Sequence, residues 1–300
     1  MRFRVSAVLG TLVAALAILP AVAGATPTSG TLTGVNGEGT FNDTLPCGVG
    51  DGPNWRYFWL DQAASSPGGL LLGTWDGTFE VHDAGAGKAF IPNGDGRLSV
   101  TVGRGGTGFF DIVGNGSCSN ATLSLTTQID GDPFVTGVLP MVGTGGTGAF
   151  RGLTGSGTAS LQLELGAGAD NVARADLNGD FDVLDPVLSV GGASSRWFNT
   201  SEFLAKKLRV YVTVNNAVGV GNAYETRITS VTGGTGSFSG LPTSTLTIPA
   251  GGSGTFGFTM NNTAPNKSYT INVTVGAKDG LLAPTPPVSG YASFKSPLLP

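Results

Sequence analysis

Gly73-Thr-Trp-Asp-Gly-Thr-Phe-Glu-Val-His82 is the stretch on which the fold reading turns. Thr74, Asp76, Thr78, Glu80 and His82 alternate with a second set that contains Trp75, Phe79 and Val81. A period of two places the two sets on opposite faces of an extended strand. Alternation of this kind marks a strand covered on one side. The polar face is where carboxylates and the sole histidine line up. Two readings follow from it: Asp76 or Glu80 as a general acid or base tuned by burial inside a barrel, or a solvent face backed by core aromatics.

The same pattern extends in both directions. Short runs rich in Val, Thr, Leu and Phe alternate with Gly, Asn, Asp and Pro clusters, the signature of strands and turns. In the first half it predicts strands near 31–41, 55–62, 71–82, 87–91, 97–102, 108–114, 121–129, 134–141, 149–154, 158–165 and 172–183. In the second half it predicts them near 187–191, 207–215, 223–231, 244–248, 253–260 and 268–276. Many short strands at this spacing make a barrel or a sandwich. Asp185-Pro186 is the expected boundary. The reading is all-β: an antiparallel barrel over 26–185, an immunoglobulin-like sandwich over 186–285 and a loose Pro- and Ser-rich tail over 286–300.

Composition narrows the function classes. The 300 residues include 50 Gly and only 36 charged residues, about half the usual charged share. The 25 aromatics and 40% hydrophobic residues exclude a disordered chain. One His and two Cys are too few for a His/Cys zinc site. A net charge of −4 gives no reason to expect nucleic acid. Residues 26–185 hold 17 acidic against 6 basic residues, net −11, and residues 186–300 hold 3 against 8, net +5. Opposite signs could serve docking of one half on the other or contact of the basic half with an anionic surface; two solvated faces that happen to differ are the preferred explanation.

Arg2 and Arg4 precede an apolar run to Ala25, with small residues at Ala21-Val-Ala23 and Ala23-Gly-Ala25. That is the form of a secretory signal over residues 1–25, so the expected location is extracellular, with no membrane span once the signal is removed. Cys47 and Cys118 then face an oxidising compartment, which favours a bridge between them over two free thiols.

The remaining motifs are weighed one by one. Trp55-Arg-Tyr-Phe-Trp59 aligns Trp55, Tyr57 and Trp59 as either a core stripe or a stacking surface for a flat ligand. Gly143-Thr-Gly-Gly-Thr-Gly148 has the GxGxxG spacing but leads into a predicted strand, so a turn fits better than a nucleotide site. Gly-Gly-Thr-Gly recurs at 105–108, 145–148 and 233–236. Asp176, Asn178 and Asp180 match the opening of a calcium loop, yet Phe181 stands where Gly belongs and Val187 where an acid belongs, and the same residues alternate as a closing strand. No Ser/His/Asp arrangement appears. No cofactor or metal is expected.

The first half resembles the allene oxide cyclase-like barrel group, which includes dirigent-like proteins. Gly73-Thr-Trp-Asp-Gly-Thr-Phe79 and Gly145-Gly-Thr-Gly-Ala-Phe-Arg-Gly-Leu-Thr-Gly-Ser-Gly157 carry the resemblance, over roughly residues 30–184. It implies a closed barrel and, in plant members, isomerisation or stereochemical guidance of hydrophobic small molecules; no catalytic residue transfers. The second half is similar to adhesion-related (CARDB-type) immunoglobulin-like domains of bacterial surface proteins, through Leu208–Asn216, Gly221-Asn-Ala-Tyr224 and Leu246–Ser253. The combined expectation is a secreted or surface-associated, non-catalytic binding or adhesion-type protein of unknown ligand, a glycan or a cell surface being the candidates, with a barrel-based isomerase or carrier of a hydrophobic small molecule as the alternative.

Overall fold

A computed structural model describes residues 25–42, 47, 54–114, 116–128, 130–166, 171–234 and 236–298. The expected export signal lies outside these residues apart from residue 25. The described residues are nearly all β, in one 11-stranded and two four-stranded sheets. The first sheet comprises β1 (Thr26–Gly34), β2 (Glu38–Asn42), β3 (Asn54–Ser65), β4 (Gly73–Gly85), β5 (Lys88–Phe90), β6 (Gly96–Val102), β7 (Thr107–Ile112), β8 (Leu123–Thr127), β9 (Pro133–Gly146), β10 (Thr154–Glu164) and β11 (Ala173–Asp182).

Eight of these strands close a ring. β1, β3, β4, β6, β7, β9, β10 and β11 each pair antiparallel with the next, and β11 returns to β1. The seam between β1 and β3 is the shortest join, with Thr31–Thr33 opposite Ala63–Ser65. Alternation dictates what fills the ring. Trp55, Tyr57 and Trp59 from β3 and Trp75, Phe79 and Val81 from β4 are buried in one core with Leu98, Phe110, Met141, Leu161 and Phe181.

These rings fit because glycines stand beside them. A Cβ at Gly37 would lie 2.5 Å from the Trp59 indole, one at Gly34 would lie 2.9 Å from it, and one at Gly39 or Gly77 would overlap Tyr57 or Trp75. Interiors are packed to crystal-like density, so one added methyl forces a ring to move.

One barrel end faces the second half of the chain. The first two Gly-Gly-Thr-Gly copies meet there: the Ala149 N–H donates to the Gly105 carbonyl at 2.9 Å and the Thr147 N–H to the Thr107 carbonyl at 2.8 Å. The strand expected over 149–154 is instead a 3₁₀ turn at Gly148–Phe150 followed by the start of β10. Ala149, Phe150 and Leu153 point into the core at three- and four-residue spacings, which a period of two cannot produce. The single strand expected over 31–41 breaks at Val35–Gly37, where Asn36 has φ +55°.

The second half builds two facing sheets from β12 (Leu188–Arg196), β13 (Leu208–Asn216), β14 (Ala223–Gly233), β15 (Phe238–Ser239), β16 (Leu246–Ile248), β17 (Ser253–Met260), β18 (Ser268–Lys278) and β19 (Val288–Lys295). Their orders are β12-β13-β17-β15 and β16-β14-β18-β19, an immunoglobulin-like sandwich. Val210, Val212 and Val214 from β13 meet Ile271, Val273 and Val275 from β18 in its core. A five-residue helix, Thr200–Leu204, capped by Asn199, joins β12 to β13.

The tail expected to be loose over 286–300 contains β19, an edge strand paired with β18 from Val288 to Lys295. Ala292 and Phe294 anchor it in the core, and Phe294 stacks on Tyr269 at 5.7 Å. The prolines at 284, 286 and 287 end just before it and do not interrupt it.

The two halves touch through backbone. Arg104 Nε and Nη2 donate to the Gly280 carbonyl at 3.1 and 2.8 Å, and Tyr224 and Leu281 enter the barrel core. A Cβ at Gly280 would overlap the Ala149 carbonyl. Among the described residues no ion pair crosses the junction, so the opposite net charges are not used in direct contacts.

Cys47, between β2 and β3, and Cys118, between β7 and β8, form a disulfide across 71 residues at the barrel end remote from the sandwich. Closing a loop of that length stabilises the fold by roughly 4 kcal/mol on the chain-entropy account. Reduction should therefore lower the barrel transition by roughly 10–15 °C and leave the cysteine-free sandwich transition in place, measured by calorimetry with and without reductant. Gly37→Ala should destabilise the barrel by about 1–3 kcal/mol in chemical denaturation, whereas Gly192→Ala in β12, where a Cβ meets nothing within 4 Å, should stay within about 0.5 kcal/mol of the parent.

Candidate functional site

The residues singled out on β4 divide as alternation requires. Trp75 is buried, whereas Asp76, Glu80 and His82 lie half-buried on the outer face of the barrel wall. Asp76 Oδ1 accepts the Asp61 N–H at 2.8 Å, across the bulge where Asp61 has φ +53°. It therefore holds the shape of β3. Glu80 Oε1 and His82 Nε2 are 2.8 Å apart, and the His82 ring packs on Phe90 at 5.0 Å. With Nε2–H donating to the carboxylate, Nδ1 is left as an acceptor. That atom is buried without a hydrogen-bond partner, as is Oδ1 of Asn54, the residue opposite His82 in the register. A base oriented by a carboxylate is thus present, but its second nitrogen faces protein.

Trp55, Tyr57 and Trp59 are core residues. Tyr57 and Trp59 lie 5.5 Å apart, and Trp59 meets Phe79 edge-on at 5.9 Å. The stacking surface is spent on the interior. The Trp59 Nε1–H is buried without an acceptor, an uncommon condition for an indole.

A polar knot secures the barrel end that carries the disulfide. Tyr57 Oη donates to the Gly166 carbonyl. Asn171, 1% exposed, donates from Nδ2 to the carbonyls of Gly37 and Gly166 at 3.3 and 3.1 Å and accepts the Gly166 N–H at 3.1 Å. Glu164 Oε2 accepts the Val172 N–H at 3.2 Å. Burial, reinforced by the nearby charge of Asp132, pushes the Tyr57 phenol up. Carboxylate oxygens of Asp130, Asp132 and Glu164 all lie within 4.8 Å of one another here. Their donor set is that of a hard divalent cation. Sequence reading passed over them because Glu164 sits more than thirty residues from the Asp130–Asp132 turn.

Asp176, Asn178 and Asp180 do not converge. All three lie on the outer face of β11, spaced along a strand rather than wrapped around a point. Asp176 is taken by Arg174 at 2.9 Å and by the Thr31 hydroxyl at 2.6 Å, and the Arg174 contact holds its carboxyl below the usual range. The closing-strand reading is the one the fold adopts.

A second acidic group sits at the junction. Asp279, 2% exposed, accepts the N–H groups of Leu281 and Ala283 through Oδ1, both at 2.8 Å. Burial raises its pKa against those two hydrogen bonds, with the charges of Asp185 and Asp182 adding to the rise. Asp185 is raised by burial and by Asp182. Neither residue was anticipated as a site; only contact between the halves creates their environment.

A scan against protein-family models found no match for the chain, and neither did a search of curated proteins.

A carboxyl whose folded pKa lies above its unfolded value contributes stability below the unfolded pKa and loses it as pH rises through the folded one. Ionised Asp279 therefore costs stability at neutral pH. Asp279→Asn keeps the Oδ1 acceptor and should be at least as stable as the parent at pH 7, with the difference shrinking toward pH 4. Asp279→Ala should lose about 1–3 kcal/mol at either pH by stranding two N–H groups. Urea denaturation at the two pH values reads both.

Proposed function

We propose that this is an exported, adhesion-type binding protein in which the barrel serves as a scaffold and recognition takes place on outer surfaces. The observation that carries the reading is the filling of the ring. Aromatic and aliphatic side chains from all eight strands form one core, seated on glycines too close to admit a Cβ. Side chains that could do acid–base work on β4 are turned outward and engaged with neighbours. A disulfide suits an oxidising location. Among the described residues no helix is long and apolar enough to cross a membrane. The resemblance of the second half to adhesion-related sandwiches supports the same reading, and the ligand class it favours is a glycan or another surface polymer.

The isomerase or carrier alternative requires an accessible lumen. The test uses residues 26–300 on a glycan array and on intact cells, together with titration by a hydrophobic dye followed through tryptophan fluorescence. Surface or glycan binding without saturable quenching is the expected result. Saturable quenching by an uncharged dye, or turnover of a fatty-acid epoxide or phenolic substrate without surface binding, would overturn the proposal.

A further inference from the structure

The barrel and the sandwich leave a cleft of about 380 Å³ beside their contact. That volume falls within the range of small-molecule sites, about 300–1,000 Å³. Its walls come from five separated pieces of chain, among them Leu72 after β3, Arg104 in the β6–β7 turn, Glu225 in β14, Leu246 in β16 and Leu282 after β18.

Arg104 is the unusual element. It is half-buried, and its acceptors are backbone carbonyls: Gly280 at 3.1 and 2.8 Å, and Gly69 at a long 3.5 Å from Nη1. Among the described residues no carboxylate lies within ion-pair distance of it. Burial lowers its pKa, while Tyr224 and Asp279 act in the opposite direction. A guanidinium has five N–H donors, more than these three contacts use, and Arg104 lines the cleft; its planar fork matches a carboxylate.

The other charge in the wall is already neutralised. Glu225 lies 2.7 Å from Lys278. It occupies a bulge in β14, at φ +47°, and Leu282 has φ +61°. Left-handed backbone is uncommon for Glu and Leu, and bulges recur where a strand re-aims a side chain beside a site. The rest of the wall mixes apolar and hydroxyl groups: Leu72, 62% exposed, Leu246, 38% exposed, and partly buried Leu282 supply the apolar surface, with Thr245, Thr247 and Tyr224 between them.

We propose that the junction cleft binds a small organic carboxylate with an apolar body, the carboxylate on Arg104 and the body against Leu72, Leu246 and Leu282. The proposal goes beyond the binding reading above: it adds a small-molecule ligand at a separate place, outside the barrel core.

The test is calorimetric titration of residues 26–300 with phenylacetate and hexanoate, with their amides, and with glucuronate as a hydroxylated carboxylate. Both apolar carboxylates should bind, and the amides should bind at least about tenfold more weakly. Arg104→Gln should abolish the preference for carboxylate over amide, and Arg104→Lys should keep part of it. Because Arg104 also ties the two halves, Leu246→Asp at an exposed position supplies an independent variant; it should lose phenylacetate binding with an unchanged melting temperature. No binding of either apolar carboxylate up to about 20 mM, equal binding of acids and amides, tighter binding of glucuronate than of phenylacetate, or an unaltered Leu246→Asp variant would each overturn the proposal. Glycan or cell binding that persists in those cases would leave the adhesion reading intact and remove only the cleft.

Discussion

The structure depends on the packing of large aromatic rings against backbone that lacks a Cβ. A small ring of eight strands has just enough interior for side chains to fill. Four residues from neighbouring strands, Trp55, Tyr57, Trp59 and Trp75, would overfill one sector unless the backbone against them were thinned. Gly34, Gly37, Gly39 and Gly77 do that thinning. The high glycine content is thus a matter of volume as well as of turns. It also explains how so few charged residues suffice: the wall's stability comes from apolar burial and an almost unbroken ladder of backbone hydrogen bonds.

The same principle governs the contact between the halves. Gly280 lies against the Ala149 carbonyl and Gly221 against that of Leu184, each too close for any side chain. The sandwich therefore meets the barrel main chain to main chain, with Tyr224 and Leu281 as apolar pegs. Arg104 is drawn into this contact by the Gly280 carbonyl, which is why a cation comes to sit half-buried there with Asp279 near it but, among the described residues, no carboxylate in ion-pair contact. The two barrel ends are thereby differentiated. One is capped by Phe150 and the sandwich, and the other is tied by the Tyr57–Gly166–Asn171 knot and the disulfide.

Alternation was legible wherever a strand has one buried face. β4, β13 and β18 read directly from sequence, and with them the all-β fold and the inward placement of Trp75 and Phe79. The Cys47–Cys118 pairing followed from there being two cysteines. Legibility failed where geometry departs from a period of two. Ala149, Phe150 and Leu153 turn inward through a 3₁₀ turn. β19 does alternate, but Gly290 on its inner side and exposed Tyr291 on its outer side mask the pattern. The outer-face acids of β11 looked like a calcium loop because spacing alone does not reveal whether the chain curls. The junction cleft and the Asp130–Asp132–Glu164 group could not be read at all. Their members are tens to hundreds of residues apart, and only the closed ring and its docked neighbour bring them together.

The meander that builds the ring also sets an order of events during synthesis. β1 emerges first, yet it pairs along its full length with β11, Thr26 opposite Phe181, and meets β3 over only three residues. A chain made from its N-terminus therefore holds its first strand largely unpartnered until more than 150 residues have followed. Contacts of such sequence separation form slowly and leave strand edges exposed meanwhile. The nascent barrel is an open, glycine-rich sheet for most of its production, and it gains a closed wall only when its last strand arrives.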